Sequence, residues 1–133
     1  MEFEHEQRAV DLFKKAEKKY SSKSFFSFNS NAKYEEAGDL YTQSGNSFKV
    51  AQKFQQAGEA YEKAADCHLK LKSLLDASSS LTDAAGCYKK TSPHDAIRCL
   101  QRAIEIYMEQ GRFSTCAKQH KDIAELYGSM IPQ

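Results

Sequence analysis

The chain has 133 residues, a mass of 15.0 kDa, 41% hydrophobic and 28% charged residues, and a formal net charge of +1. This length provides for one hydrophobic core but not for two, so the sequence predicts a single domain over residues 1–133 and argues against a multidomain enzyme. Because 11% of the residues are aromatic, the chain is expected to fold, and no apolar run is long enough to span a bilayer. The acidic start, with Glu2, Glu4 and Glu6, lacks the basic and apolar pattern of a secretion signal, which predicts a cytoplasmic protein.

Six helices are predicted, and in chain order they lie near residues 3–20, 31–51, 54–71, 74–90, 94–110 and 113–128. Only two prolines interrupt the chain, and apolar residues recur at a spacing of three and four. Ser92 is expected to cap the fifth helix, with Pro93 at its first position. Gly111 is expected to end that helix in a left-handed conformation.

A short motif with a terminal tyrosine recurs in every helix after the first. Its five tyrosines are Tyr41, Tyr61, Tyr88, Tyr107 and Tyr127. Small residues commonly lie three and four positions before the ring, as Ala37 and Gly38 do, and they would let a neighbouring helix approach closely. Two helices occupy about 40 residues, longer than the tetratricopeptide unit of about 34. The sequence therefore predicts an all-α fold of tetratricopeptide-like antiparallel hairpins, stacked as a right-handed solenoid with buried tyrosine rings.

Residues with possible catalytic chemistry are scattered along the chain. The four cysteines are Cys67, Cys87, Cys99 and Cys116, and no CxxC pattern joins them. Their apolar neighbours predict buried free thiols and a reducing compartment. The four histidines fall on different helices without a metal-binding partner at a suitable spacing, and no phosphate-binding or nucleophile motif occurs. These observations predict a binding protein with no catalytic residue, cofactor or metal site.

A loop rich in phenylalanine interrupts the helical pattern at residues 21–30. Phe25, Phe26 and Phe28 lie among serines and an asparagine, and such a loop cannot bury three rings by itself. The residues alone leave two readings open: the rings contact a membrane or a partner, or the loop folds back onto the first helices. Lysines between positions 14 and 23 would add attraction to anionic lipid.

The last third of the chain carries an excess of positive charge. Between Ala85 and Lys121, seven bases stand against three acids, which leaves four positive charges. Either an acidic partner or an ordinary solvated rim explains this excess. Aromatic residues do not alternate with the bases, which argues against a nucleic-acid partner.

Several segments together carry a resemblance to a known family. They are Ser24-Phe25-Phe26-Ser27, Phe48-Lys49-Val50-Ala51, Cys67-His68-Leu69-Lys70-Leu71, Tyr88-Lys89-Lys90, Arg102-Ala103-Ile104-Glu105-Ile106-Tyr107 and Gly111-Arg112-Phe113. In order and spacing the chain resembles the N-terminal part of the soluble NSF attachment proteins (SNAPs), most closely the alpha type. The resemblance implies a non-enzymatic adaptor in vesicle fusion that coats an acidic SNARE four-helix bundle and recruits the ATPase NSF, which then disassembles the bundle.

The resemblance also implies roles for individual residues. Phe25 and Phe26 match the family's membrane-contacting loop, with Phe28 near a further apolar position, which implies peripheral attachment to membranes. The bases that match positions on or near the SNARE-facing side are Lys89, Lys90, Arg112 and Lys118. Family members continue into a C-terminal bundle and a tail that stimulates NSF, whereas this chain stops at Gln133. It is therefore expected to be an N-terminal fragment or a naturally short form, in which most of the NSF-contacting region is absent.

Two alternatives belong to other functional classes. One is a generic tetratricopeptide-type scaffold that binds a partner's C-terminal peptide, and the other is an assembly module whose phenylalanine loop is buried. The unit of about 40 residues argues against the first alternative, which also has no use for the phenylalanines.

Overall fold

The computed structural model describes residues 2–23 and 31–132, and the regular elements in these ranges are all α-helices. Their bounds are α1 Glu2–Tyr20, α2 Asn31–Val50, α3 Phe54–Lys70, α4 Leu74–Tyr88, α5 Pro93–Glu109 and α6 Phe113–Ser129. Each predicted helix is confirmed, and its ends agree with the prediction within two residues. The all-α prediction is therefore confirmed for the described part of the chain.

The helices form consecutive antiparallel pairs that stack in two layers. Each helix makes its main contacts with the next one along the chain, as short connections between helices require. The odd-numbered helices lie side by side, since Lys63 of α3 reaches Glu17 of α1 and Arg98 of α5 reaches Glu62 of α3. The even-numbered helices form the other layer, in which Gln119 of α6 donates a hydrogen bond to Thr82 of α4. This arrangement is the predicted helical-hairpin solenoid.

Three of the connections use the same turn. The residue in the left-handed conformation is Gln52, Lys72 or Gly111, with φ of 62°, 57° and 71° respectively. The next N–H donates back to a carbonyl of the last helical turn, as Arg112 N–H does to the Tyr107 carbonyl at 2.9 Å. This pattern satisfies carbonyls at the helix end and confirms the role predicted for Gly111.

The turn between α4 and α5 has a different form. Pro93 is at the first turn of α5 as predicted, because its missing N–H has no helical partner there. The expected cap by Ser92 is wrong, since its side chain makes no hydrogen bond to the first backbone N–H groups of the helix. Its hydroxyl instead bonds to the Asp95 carboxylate.

Four of the five motif tyrosines are buried between helices. Tyr41, Tyr61, Tyr88 and Tyr107 are at most 8% exposed. The hydroxyl groups of Tyr41, Tyr61 and Tyr88 donate to polar side chains at the edge of the core, as that of Tyr88 does to Glu62 at 2.7 Å. The packing predicted for the fifth ring is wrong, because Tyr127 is 50% exposed on α6, where no later described helix covers it.

Candidate partner-binding surface

The phenylalanines predicted to contact a membrane, Phe25, Phe26 and Phe28, lie outside the described residues. The described residues end at Lys23 before this segment and begin again at Asn31 after it. Close to this point Tyr20 and Tyr34 pack edge to face, with ring centroids 5.6 Å apart.

The four bases predicted to face an acidic bundle are all exposed. Lys89 and Lys90 directly follow α4, Arg112 directly precedes α6, and Lys118 lies on α6. Among the described residues, none of the four forms an ion pair. Their charges are therefore available to a partner.

The structure distributes these bases along the layer of α4 and α6. Gln119 and Thr82 are level, because their side chains are joined by a hydrogen bond of 2.9 Å. Lys90 lies eight positions after Thr82, whereas Arg112 lies seven positions before Gln119. At 1.5 Å per residue in parallel helices, about 20 Å separates the two ends along the helix axis, with Lys118 between them. The four bases are therefore spread along the layer and do not form a compact cluster, and we call this set the line of bases.

Two other bases counted in the charge excess are neutralised by α3. Arg98 contacts Glu62 at 2.6 Å and Arg102 contacts Asp66 at 3.1 Å. Both acids come from a helix outside the stretch that was counted, so sequence reasoning missed them. Asp95 pairs with Arg98, which leaves five bases and two acids of the original set outside these pairs. The excess is thus smaller than predicted but remains positive.

Glu62 is the centre of this ion-pair network. Burial raises its pKa, but hydrogen bonds from Arg98 and Tyr88 and the charge of Arg102 outweigh burial, so the net pKa lies below the ordinary value. The same hydrogen bond to Glu62 is the main cause of a raised pKa of Arg98. Glu62 therefore carries its negative charge at neutral pH and joins α3 to α5.

A cleft of about 190 Å³ next to Lys90 adds a base that the sequence did not point out. Lys49 at the end of α2 and Lys90 both line it, together with Asp83. The Lys90 ammonium lies 4.2 Å from the centroid of the Phe54 ring. Lys49 is 41 positions from Lys90 along the chain, so only the tertiary fold brings the two to the same cleft.

The cysteines offer no reactive thiol. All four are free and buried, as predicted. Burial raises the pKa of Cys67 to about 11 and of Cys99 to about 12, so both are protonated at neutral pH. Within the described ranges, no group of three potential ligands could hold a metal ion. The chemistry that the described surface presents is recognition by charge.

Paired helices in two layers, with a line of available bases along one layer, define a helical repeat protein of the class that binds partners by its surface. None of the described helices is long and apolar enough to cross a membrane.

The comparison with known proteins identifies the family. The family described as "Soluble NSF attachment protein, SNAP" matches residues 7–132. The chain belongs to this family, as its resemblance predicted.

Individual relatives agree with this assignment. The chain is 46% identical over 125 residues to the alpha-soluble NSF attachment protein of Homo sapiens, 54% over 122 residues to that of Dictyostelium discoideum and 52% over 119 residues to the vesicular-fusion protein SEC17 of Coprinopsis cinerea. These matches cover 90–92% of this chain but 41–42% of each relative. The chain thus spans about two fifths of the length of the relatives it matches.

Proposed function

We propose that the chain is the N-terminal part of a non-enzymatic adaptor in vesicle fusion. It binds an acidic SNARE helical bundle through Lys89, Lys90, Arg112 and Lys118, and it contacts the membrane through Phe25, Phe26 and Phe28. In a longer chain, this adaptor recruits the NSF ATPase, which disassembles the bundle. The protein works in the cytoplasm, attached peripherally to membranes.

The line of available bases, which extends from the residues after α4 to α6 and the residue before it, is the observation that carries the SNARE part of the proposal. A rod-shaped bundle with acidic faces presents negative charge over a length, and a line of about 20 Å complements it better than a compact cluster would. The names of the relatives support the same process, because they describe NSF attachment and vesicular fusion.

Membrane contact and NSF recruitment are supported by family membership and by the sequence. Each phenylalanine moved out of water is worth about 1.5–3 kcal/mol, so two or three rings would suffice for reversible attachment. The relatives are more than twice as long as this chain, and the part that stimulates NSF is expected in the remainder.

A charge-reversal experiment tests the SNARE-binding surface. The double substitution Arg112→Glu and Lys118→Glu is expected to lower the affinity for assembled SNARE complex about tenfold, mainly by slowing association. Binding of the parent chain should also weaken steeply as salt rises, because exposed charges are screened over about 8 Å at physiological ionic strength. Both effects can be measured by surface-immobilised binding kinetics across a salt series.

Arg8→Glu with Lys53→Glu is the matched control, since it makes the same change in net charge at exposed positions on α1 and in the turn before α3. An equal loss of affinity in the control would show that only total charge matters. Binding that does not change with salt would contradict the electrostatic interface.

A further inference from the structure

A set of lysines that the SNARE-binding proposal does not use lies along one edge of the solenoid, at the C-terminal ends of α1 and α3 and the start of α2. We call it the basic edge, and its members are Lys18, Lys23, Lys33, Lys70 and Lys72. No member forms an ion pair with any residue in the described ranges. The nearby acids are partly engaged, since Glu36 binds Lys19 at 2.7 Å and Asp66 binds Arg102. The edge therefore has a local excess of positive charge.

The parallel alignment of α1 and α3 brings these lysines to the same end. Glu17 and Lys63 are level, with 3.8 Å between carboxylate oxygen and ammonium nitrogen. Lys70 follows Lys63 by seven positions of α3, which places it about 10 Å further along that helix, and α1 ends three residues after Glu17, with Lys23 in the segment just beyond it. Lys70 is close enough to Tyr20 to oppose the rise in pKa that burial of the phenol causes.

Tyrosine rings lie among the lysines of the basic edge. Tyr20 and Tyr34 are half-buried and in edge-to-face contact, and the Lys33 ammonium lies 5.1 Å from the centroid of the Tyr34 ring. Lys33 also donates a hydrogen bond to the Ser22 carbonyl at 3.3 Å. Amphipathic rings beside lysines are typical of surfaces at the level of lipid headgroups. They favour a membrane over an acidic protein as the partner.

Lys72 presents its charge from a conformation that favours glycine. It occupies the left-handed position of the turn between α3 and α4, the same position that Gly111 occupies between α5 and α6. Its side chain is exposed. A glycine would relieve the backbone strain here but would remove one charge from the basic edge.

We propose that the basic edge binds the headgroups of anionic phospholipids. This inference extends the membrane part of the proposed function and rests on it for the orientation of the chain, because Lys23 and Asn31, the residues that flank the phenylalanine segment, are at this end. The two contributions are physically separable. Burial of phenylalanine does not depend on lipid charge, whereas attraction between lysine and headgroup requires anionic lipid and is screened by salt.

Vesicle flotation separates the two contributions. The full chain would be compared on vesicles of phosphatidylcholine alone and on vesicles that also contain phosphatidylserine. The double substitution Lys70→Gln and Lys72→Gln is expected to reduce partitioning onto the anionic vesicles about 25-fold, since each lysine near such a surface contributes about fivefold. Partitioning onto neutral vesicles should not change. Arg8→Gln with Lys53→Gln, at the opposite end of the helices, is the matched control and should leave both unchanged.

Two further variants make each failure distinguishable. Phe25→Ser with Phe26→Ser should weaken flotation with both kinds of vesicle; if it has no effect while the Lys70 and Lys72 variant does, the loop proposal fails and the basic edge stands. Lys72→Gly should raise the melting temperature and still lower binding to anionic vesicles, which excludes unfolding as the cause.

Equal binding of the parent and the Lys70 and Lys72 variant to anionic vesicles would overturn the inference. So would binding to polyglutamate without binding to anionic vesicles, which would indicate an acidic protein partner.

Discussion

Gly58 lies directly beneath the Tyr88 ring, and Gly45 has the same relation to Tyr61. A Cβ atom at Gly58 would be 2.6 Å from the nearest ring carbon of Tyr88, closer than real Cβ contacts permit. The motif tyrosine of one helix therefore packs on a glycine of the preceding helix in two successive interfaces. At the scale of single residues, the small side chains of the motif allow the helices to approach and the tyrosine rings fill the space between them.

Replacing Gly58 with Ala is expected to destabilise the protein by about 1–3 kcal/mol, because the added methyl group must displace a buried ring. Gly86→Ala is the matched control, since Gly86 is also helical but its Cβ would have no atom within 4 Å. The control should gain about 0.5–1 kcal/mol from reduced backbone entropy in the unfolded chain. Urea unfolding followed by circular dichroism measures both changes. Equal changes in unfolding free energy for Gly58→Ala and Gly86→Ala would contradict the packing.

At the scale of helices, α3 and α5 are held in register by polar contacts that lie outside the apolar core. Glu62 accepts hydrogen bonds from Tyr88 on α4 and Arg98 on α5, so a single carboxylate joins three helices. Its side chain is 15% exposed, compared with 48% for Arg98, so solvent screens the pair only in part.

Glu62→Gln is expected to destabilise the protein by about 1–2 kcal/mol at neutral pH, because the amide keeps an acceptor for Tyr88 but removes the largely buried negative charge that both arginines share. Arg98 then keeps only Asp95 as an ion-pair partner, and Arg102 keeps only Asp66. The folded pKa of Glu62 lies below its ordinary value of 4.5, so its contribution is complete above that pH and is lost as the pH falls through the folded pKa. The difference in unfolding free energy between parent and variant should therefore shrink below about pH 4.5. A deficit that is equal at neutral and acidic pH would show that the charge on Glu62 does not stabilise the fold.

At the scale of the whole molecule, the two ends of the stack differ from its centre. The inner helices α4 and α5 each bury eight residues, whereas α1 and α6 bury two and four. Phe113 and Tyr127 on α6 are 64% and 50% exposed. Among the described helices, α5 makes the main contact with α6. In a stacked repeat protein, stability comes from interfaces between neighbours, so a helix with one main neighbour opens more readily.

Native-state hydrogen exchange is expected to show this difference directly. Backbone amides of α6 should exchange by local opening at a lower free energy than those of α3, which is covered by both α2 and α4. Mass spectrometry of peptides from the two helices provides the measurement. Equal protection of α3 and α6 would indicate a single cooperative unit and would contradict the end effect.

Sequence pattern alone was enough for the helices, their ends and the class of fold. Apolar spacing and the scarcity of proline define six helical segments, and Gly111 marks a turn because few other residues adopt positive φ without strain. These properties depend on residues within a few positions of each other, which a single sequence displays. The recurring tyrosine motif likewise predicted which rings would be buried, with Tyr127 as the exception.

Tertiary structure decided which charges are available and which rings are covered. Glu62 and Asp66 neutralise Arg98 and Arg102 across 36 positions of chain, Lys49 joins Lys90 across a cleft, and Tyr127 is exposed because the stack of described helices ends beside it. The basic edge likewise depends on the parallel alignment of α1 and α3. Net charge can be counted along the chain, but pairing acts over a few ångströms in space, and only the packing of the helices determines which side chains come that close.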